Sequence, residues 1–190
     1  MSNVLIGIIG VILFIGLALA GALFLGPRFQ EATLNSRASA IMTGVKQIAD
    51  AVEMRRVNEG SRLVKSGQPT FLVSQGYLKS VPRNPANAAT AAPDEYRWKM
   101  VLNNNIYADV DETYEIYAAK YVVAPIGRDS DKNAVDTCRI IAKTYGDPDI
   151  LGYENGIDPA RPTGCIAVEG NVIAYQRIAP PSQAGDQSLN

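Results

Sequence analysis

The sequence contains no histidine among its 190 residues, and this limits the chemistry that its side chains can perform. Ser-His-Asp and Cys-His catalysis both need an imidazole, and histidine is also the commonest metal ligand. Carboxylate, lysine or tyrosine chemistry stays open, but the sequence has no glycine-rich phosphate loop and no CxxC pair. The composition therefore favours a protein that is not an enzyme and that uses no cofactor or metal.

Cys138 and Cys165 are the two cysteines of the chain. Two thiolates cannot complete a structural zinc site, which takes four ligands. An isolated, even pair in a membrane-anchored chain favours one disulfide in an oxidising compartment, with two buried free thiols as the alternative. In the chain-entropy model, closing a loop of this size stabilises the fold by about 3–4 kcal/mol.

The residues Asp129, Asp131 and Asn133 have the alternate spacing of a calcium-binding loop. The glycine that such a loop requires is replaced by Ala134, and Ile140 stands where the distal glutamate would be. We therefore expect Asp131 to cap a following helix.

The element that dominates the sequence is an apolar segment, residues 4–25, without a charged or strongly polar side chain. At about 1.5 Å per residue it forms a helix of about 33 Å, enough to cross the hydrocarbon core of a bilayer. Ala18-Leu19-Ala20 resembles a signal-peptide cleavage site, but no basic residue precedes the apolar segment. The nearest basic residue, Arg28, follows it, so we expect that a short basic leader is removed before Met1.

Gly26 and Pro27 end the apolar segment and predict a helix break or kink. Helical periodicity then resumes to about residue 58. Its apolar stripe is Ala38, Ile41, Val45, Ile48 and Val52. The first helical half is thus apolar on all sides and the second half is amphipathic, which indicates that they have different surroundings.

The rest of the chain predicts a small antiparallel sheet. We expect a brief helix within 71–78 and strands at 96–102, 106–110 and 113–124. A short helix at 132–145, with Tyr145 facing inward, and a hairpin formed by 165–168 and 171–178 follow. The predicted fold class is α+β: a long N-terminal helix packed on an antiparallel sheet, with one short helix and a C-terminal disulfide region. The predicted regions are the apolar helix 1–27, its amphipathic half 28–59 and a globular part 60–190, the last divided into a loop 60–94, a sheet 95–124 and a disulfide-bounded region with a tail 125–190.

Taken together, this plan resembles the type IV pilins. The first 60 residues are the most similar, and the stretch from Leu72 through Gly76-Tyr77-Leu78 to Pro82, Pro85 and Tyr96 resembles the segment that leads into the sheet of many pilins and pseudopilins. The late cysteine pair is similar to the disulfide around the family's C-terminal region. Met1 as first mature residue resembles the type IVb subgroup, and one residue departs from the family: Leu5 stands where most pilins have a glutamate that is thought to meet a neighbour's N-terminal amine.

The resemblance implies a structural subunit that is processed and methylated at Met1 by a prepilin peptidase. It is held in the bacterial inner membrane and then assembled by pilus machinery into a helical, extracellular homopolymer. A host surface, DNA or a phage would be its further partners, with cell adhesion among the roles of such a fimbrium. The globular parts of neighbouring subunits would touch through side chains such as Tyr107, Tyr114, Tyr117 and Tyr121, unless these tyrosines pack within the globular part itself. The expected filament core is Val4, Leu5, Ile8, Ile9, Ile12, Phe14, Ile15, Leu19 and Leu23.

Three alternatives to this reading stay open. One is a membrane-anchored pseudopilin or minor pilin that forms only short polymers in a secretion or assembly system. Another is a lone membrane anchor whose glycines reflect ordinary membrane composition. The third, a secreted enzyme with a retained anchor, is disfavoured by the absence of histidine.

Overall fold

A computed structural model describes residues 2–59, 69–87, 98–101, 121–146, 157, 160–168 and 170–178. The chain divides into two compact units, Met1–Ser36 and Arg37–Asn190, and we call the second unit the head. The fold is α+β, as the sequence predicts.

Helix α1 runs without interruption from Ser2 to Glu59. Gly26 and Pro27 both lie inside this helix, so the helix does not end there, and the kink expected as the alternative to a break stays a prediction. A proline inside a helix removes one backbone hydrogen-bond donor, but the backbone hydrogen bonds of the neighbouring residues can still form and continue the helix.

The part of α1 that belongs to the head is amphipathic, as its periodicity predicts. Its inner stripe is buried, with exposed fractions between 0% and 4% for Ala38, Ile41, Val45, Ile48 and Val52. These side chains belong to one apolar core with residues of the sheet and of the short helices. Burying one face of a helix in this way supplies more stability than helix propensity alone.

Within the described residues, the sheet of the head has four antiparallel strands. They are β1 (Lys99–Val101), β2 (Tyr121–Arg128), β3 (Thr163–Val168) and β4 (Asn171–Arg177), in the order β1-β2-β4-β3. The hairpin of β3 and β4 turns at Gly170, whose φ of 79° is the left-handed conformation that glycine adopts without strain. This hairpin is confirmed. Of the other predicted strands, 106–110 lies outside the described residues, and so does most of 113–124.

Strand β2 continues past Ala124, where the sequence predicts that it ends, to Arg128. Pro125 pairs with Ile173 of β4, and the register shifts between Pro125 and Gly127. Proline is tolerated because the pairing with β1 covers only residues 121–123 of β2. At Pro125 the described part of the chain therefore requires no donor toward β1.

Two short helices complete the described fold: α2 (Thr70–Ser74) and α3 (Lys132–Thr144), with one 3₁₀ turn at Pro85–Asn87. Both helices lie where the sequence predicts them. Helix α3 buries Ala134, Thr137, Cys138, Ile141 and Ala142. Tyr145, predicted to face inward, is 49% exposed because the helix ends at Thr144 and Tyr145 is its cap.

The two faces of the sheet contribute to different apolar clusters. Val122, Ala124, Cys165, Val172 and Ala174 belong to the main core with α1 and α3. The alternate residues Tyr121, Val123, Ile166, Ile173 and Tyr175 form a second cluster with Ile157. Since side chains alternate between the faces of a strand, burial on both sides explains why these strands read as continuous apolar runs.

Candidate assembly surface

The apolar segment of α1 exposes its large side chains to the surroundings. Ten such side chains lie between Ile8 and Leu23, and their exposed fractions range from 50% to 77%. They are Ile8, Ile9, Val11, Ile12, Leu13, Phe14, Ile15, Leu17, Leu19 and Leu23. Seven of the nine residues predicted for a filament core are among them. Val4 and Leu5 lie within α1, and their side chains, like Met1, are outside what the structure describes.

This exposure surrounds the helix. The five consecutive residues Val11–Ile15 are all at least 52% exposed, and each successive residue turns about 100° around the axis. A single helix packed alongside would cover one stripe of the segment and leave the remaining sides in water. The segment therefore needs either several protein neighbours or a lipid environment.

Open space next to the backbone accompanies this exposure. A Cβ atom added at Gly7, Gly10, Gly16 or Gly21 would meet no other group within 4 Å. Glycines without a neighbour of their own chain let the backbone of another helix approach closely. The segment's 18-residue window has a mean hydropathy of 2.8, and by length and composition α1 is able to cross a membrane.

A disulfide joins α3 to β3 in the head. Cys138 and Cys165 have Cα atoms 5.4 Å apart and no exposed surface. The predicted pairing is confirmed, and the alternative of two free thiols is excluded. The disulfide links α3 to β3, which is an edge strand of the described sheet.

A buried arginine connects α1 with α2. Arg55 is 1% exposed, and its Nε donates to Oε1 of Gln75 at 2.8 Å. Its guanidinium pairs with Glu59 at 3.3 Å and lies 5.8 Å from the ring centre of Phe71. The Tyr77 hydroxyl donates to Glu59 at 2.7 Å, and this hydrogen bond, with burial, raises the pKa of Tyr77 above its ordinary value.

The Arg55 network fastens the segment after α1 to the end of that helix. Sequence reasoning missed this network and expected a connecting region with a brief helix. The available signal was an arginine at the continuation of the buried stripe, three residues after Val52. An arginine at such a position is buried only with partners for its charge.

Gly44 leaves room beside α1 for the ring of Trp98, the single tryptophan of the chain. A Cβ at Gly44 would lie 2.5 Å from Cη2 and 2.7 Å from Cζ2 of Trp98, which is 3% exposed. The indole Nε1 donates to the Pro82 carbonyl at 2.6 Å. Asn84 adds a second link, since its Nδ2 donates to the Pro125 carbonyl of β2 at 2.9 Å. Sequence patterns gave no partner for Gly44.

The acidic pair considered for calcium has a structural role. Asp131 is the N-cap of α3, and its Oδ1 accepts from the Asn133 amide at 2.9 Å. Asp129 uses its own amide to donate to the Gly170 carbonyl at 3.1 Å. Among the described residues, no group of three or more acidic or cysteine side chains is arranged to hold a metal ion.

Only one of the four tyrosines considered for contacts between heads lies in the described residues. Tyr121 has no exposed surface and makes an edge-on contact with Tyr175, with ring centres 6.2 Å apart. It packs within the head. Tyr107, Tyr114 and Tyr117 lie outside the described part of the chain.

Comparison with known protein families, characterised proteins and solved structures gives no significant match to this chain. The candidate surface is the apolar part of α1, which is exposed on all sides, and the same helix continues into the head that contains the disulfide.

Proposed function

We propose that this chain is a structural pilin, a subunit that polymerises through its N-terminal helix into a type IV pilus filament on the cell surface. The observation that carries the proposal is the exposure of large apolar side chains on every side of α1 between Ile8 and Leu23. Before assembly, each subunit is held in the membrane by this helix. Copies of the chain replace the lipid when a subunit leaves the bilayer.

The energetic argument starts from the ten exposed side chains. Completing the burial of each contributes about 1–2 kcal/mol, so a subunit in water loses on the order of 10–20 kcal/mol relative to one with a covered segment. That penalty is as large as the whole stability of an ordinary domain. A subunit without a membrane therefore has a strong drive to associate.

The geometry favours a polymer over a dimer. Because side chains are exposed around the full circumference, each segment needs several neighbours. The open glycines at 7, 10, 16 and 21 permit the backbones to approach closely. A repeated contact between different patches that does not close on itself produces a helical fibre.

Continuity of secondary structure favours a filament subunit over a lone anchor. Helix α1 has no interruption between the apolar segment and the stripe that packs in the head. A simple anchor usually ends in a flexible linker. The disulfide agrees with an extracellular head, because such bonds persist in oxidising compartments.

A second candidate is a pseudopilin or minor pilin that forms short polymers. Leu5 favours it, since the chain lacks the glutamate that pairs with a neighbour's amine in most pilins. In either case, packing rather than a charge pair sets the register between subunits.

The proposal is tested by microscopy and cross-linking in the native host. Negative-stain images of sheared surface material, labelled with an antibody to the head, should show long fibres. A photo-reactive residue at Ile12, 63% exposed, should then link the chain to copies of itself in a ladder of dimers, trimers and larger products. The matched control carries the same group at Ile41, which is fully buried and should give no ladder.

The outcomes separate the candidates. Fibres with a ladder support the major pilin. A ladder without fibres, or with this chain restricted to a fibre tip, favours the pseudopilin or minor pilin. Cross-links from Ile12 to lipid alone would reject assembly and leave a membrane anchor.

A further inference from the structure

The disulfide lies in a layer of small side chains between α3 and the sheet. Across three strands, Ala124 pairs with Ala174 and Ala174 pairs with Cys165, so two alanines and one cysteine form a row. Cys138 and Ala142 face this row from α3. We call these five residues the disulfide seam, and each of them is 0% exposed.

Beside the seam, α3 lies close against β2. A Cβ added at Gly127 of β2 would lie 2.9 Å from the Cβ of Ala134 on α3, closer than side chains pack. Two reduced sulfurs cannot share a bond and must stand at van der Waals separation, which requires extra volume in the seam. Close-packed interiors accommodate added volume by shifting whole elements.

Burial also blocks the chemistry of the bond. Thiol–disulfide exchange requires a thiolate to reach a sulfur atom directly. Both sulfurs are covered by α3 on one side and by the sheet on the other, so an attacking thiolate reaches them only when α3 moves away.

We propose that α3 docks on the sheet only once the Cys138–Cys165 bond has closed, and that the docked helix then seals the bond against exchange. Closure uses an external disulfide as the oxidant. The thiolate of one cysteine attacks a sulfur of that disulfide and displaces its second sulfur as a thiolate. The other cysteine's thiolate then displaces the oxidant from the mixed disulfide. The two electrons end on the oxidant, and the two cysteine protons pass through solvent to its thiolates, so that the oxidant leaves as a dithiol.

The experiment measures reduction of the oxidised, full-length chain in a non-denaturing detergent. Dithiothreitol is added, samples are alkylated over time, and mass spectrometry counts the free thiols. Trp98 fluorescence reports whether the head remains folded, since it is the single tryptophan. We expect reduction at least about 100-fold slower than in the urea-unfolded chain, because attack waits for an opening reaction. A smaller difference, with native fluorescence retained, overturns the seal.

Two variants of α3 test whether this helix is the seal. Ile141→Ala removes a side chain that is 1% exposed and should accelerate reduction about 10-fold or more, since it weakens the docking of α3. Lys143→Ala, at an exposed position of the same helix, is the control and should change the rate less than about twofold. If Ile141→Ala does not fold, urea below the unfolding midpoint replaces it and should accelerate reduction. Equal rates for both variants, or no response to urea, contradict the proposal.

Hydrogen exchange tests the first half of the proposal. The chain is reduced in urea and refolded under excess reductant. The amides of α3 should then lose their protection, whereas those of β2 and β4 remain protected. Protection retained in α3, or lost throughout the head, would show that docking and bond closure are not coupled in this way.

Discussion

The contact between Gly44 and Trp98 makes the substitution Gly44→Ala an informative test of the head. In an exposed helix this change stabilises by about 0.8–1 kcal/mol, because alanine has the higher helix propensity. Here the new methyl would stand 2.5 Å from Cη2 of Trp98 and 3.3 Å from Cβ of Pro82. The ring cannot swing away freely, since it is 3% exposed and its Nε1 is bonded to the Pro82 carbonyl.

Overpacking of this kind costs about 1–3 kcal/mol, so the net effect should be a destabilisation of up to about 2 kcal/mol despite the gain in propensity. Urea unfolding in detergent, followed by far-ultraviolet circular dichroism, measures the free energy of unfolding. Trp98 fluorescence should shift in the folded variant, because the indole is displaced from its seat.

A double-mutant cycle with Trp98→Phe isolates the clash. Phenylalanine lacks the outer indole atoms Cζ2 and Cη2 that the added Cβ would meet. In the Trp98→Phe background Gly44→Ala should therefore be neutral or stabilising by up to about 1 kcal/mol, so that the two substitutions couple favourably. Thr43→Ala, exposed on the neighbouring helix position, serves as the single-site control. If Gly44→Ala stabilises the chain with Trp98 present, the seat described above is not what the glycine provides.

The remaining predictions concern polar contacts of the head. Arg55→Ala should destabilise the head by about 2–4 kcal/mol, because Glu59 and Gln75 lose a buried partner. Arg56 is more exposed and pairs with Glu53, so Arg56→Ala should cost less than about 1 kcal/mol. Similar losses for the two variants in urea unfolding would contradict the role of burial. The pKa of Tyr77 is raised in the folded chain, so the contribution of its hydrogen bond to stability is complete below about pH 10 and is lost as the pH rises through the folded pKa. The difference in unfolding free energy between wild type and Tyr77→Phe should therefore shrink from about pH 8 to about pH 11. A constant difference would refute this link. Asp131→Ala should cost about 1 kcal/mol through loss of the α3 cap, and Asp129→Ala should cost less than about 0.5 kcal/mol, as thermal unfolding will show; equal costs would mean that the cap is not what Asp131 provides.

Local sequence patterns determined much of the architecture. The apolar segment, the stripe from Ala38 to Val52, helix α3 and the final hairpin each follow from a periodicity or a turn residue within a few positions. The disulfide required no geometry, because two cysteines allow one internal pairing. Such features are legible since the physical cause, a repeating apolar face or a glycine at a turn, lies within the segment itself.

Only the tertiary structure decided the contacts between distant segments. Gly44 appears in the sequence as a weak point of a helix, and only the position of Trp98 makes it a seat. Arg55 appears in the sequence as a surface charge, and only the packing of α2 buries it. Pro125 appears as the end of a strand, but β2 continues through it because β1 pairs only with residues 121–123 and no backbone donor is needed there. Residues that are far apart in the sequence meet through packing, and no local propensity specifies which atoms will be close. The sequence by itself thus determined which elements form and where the apolar faces lie, while packing decided which small residues, buried charges and prolines those elements can hold.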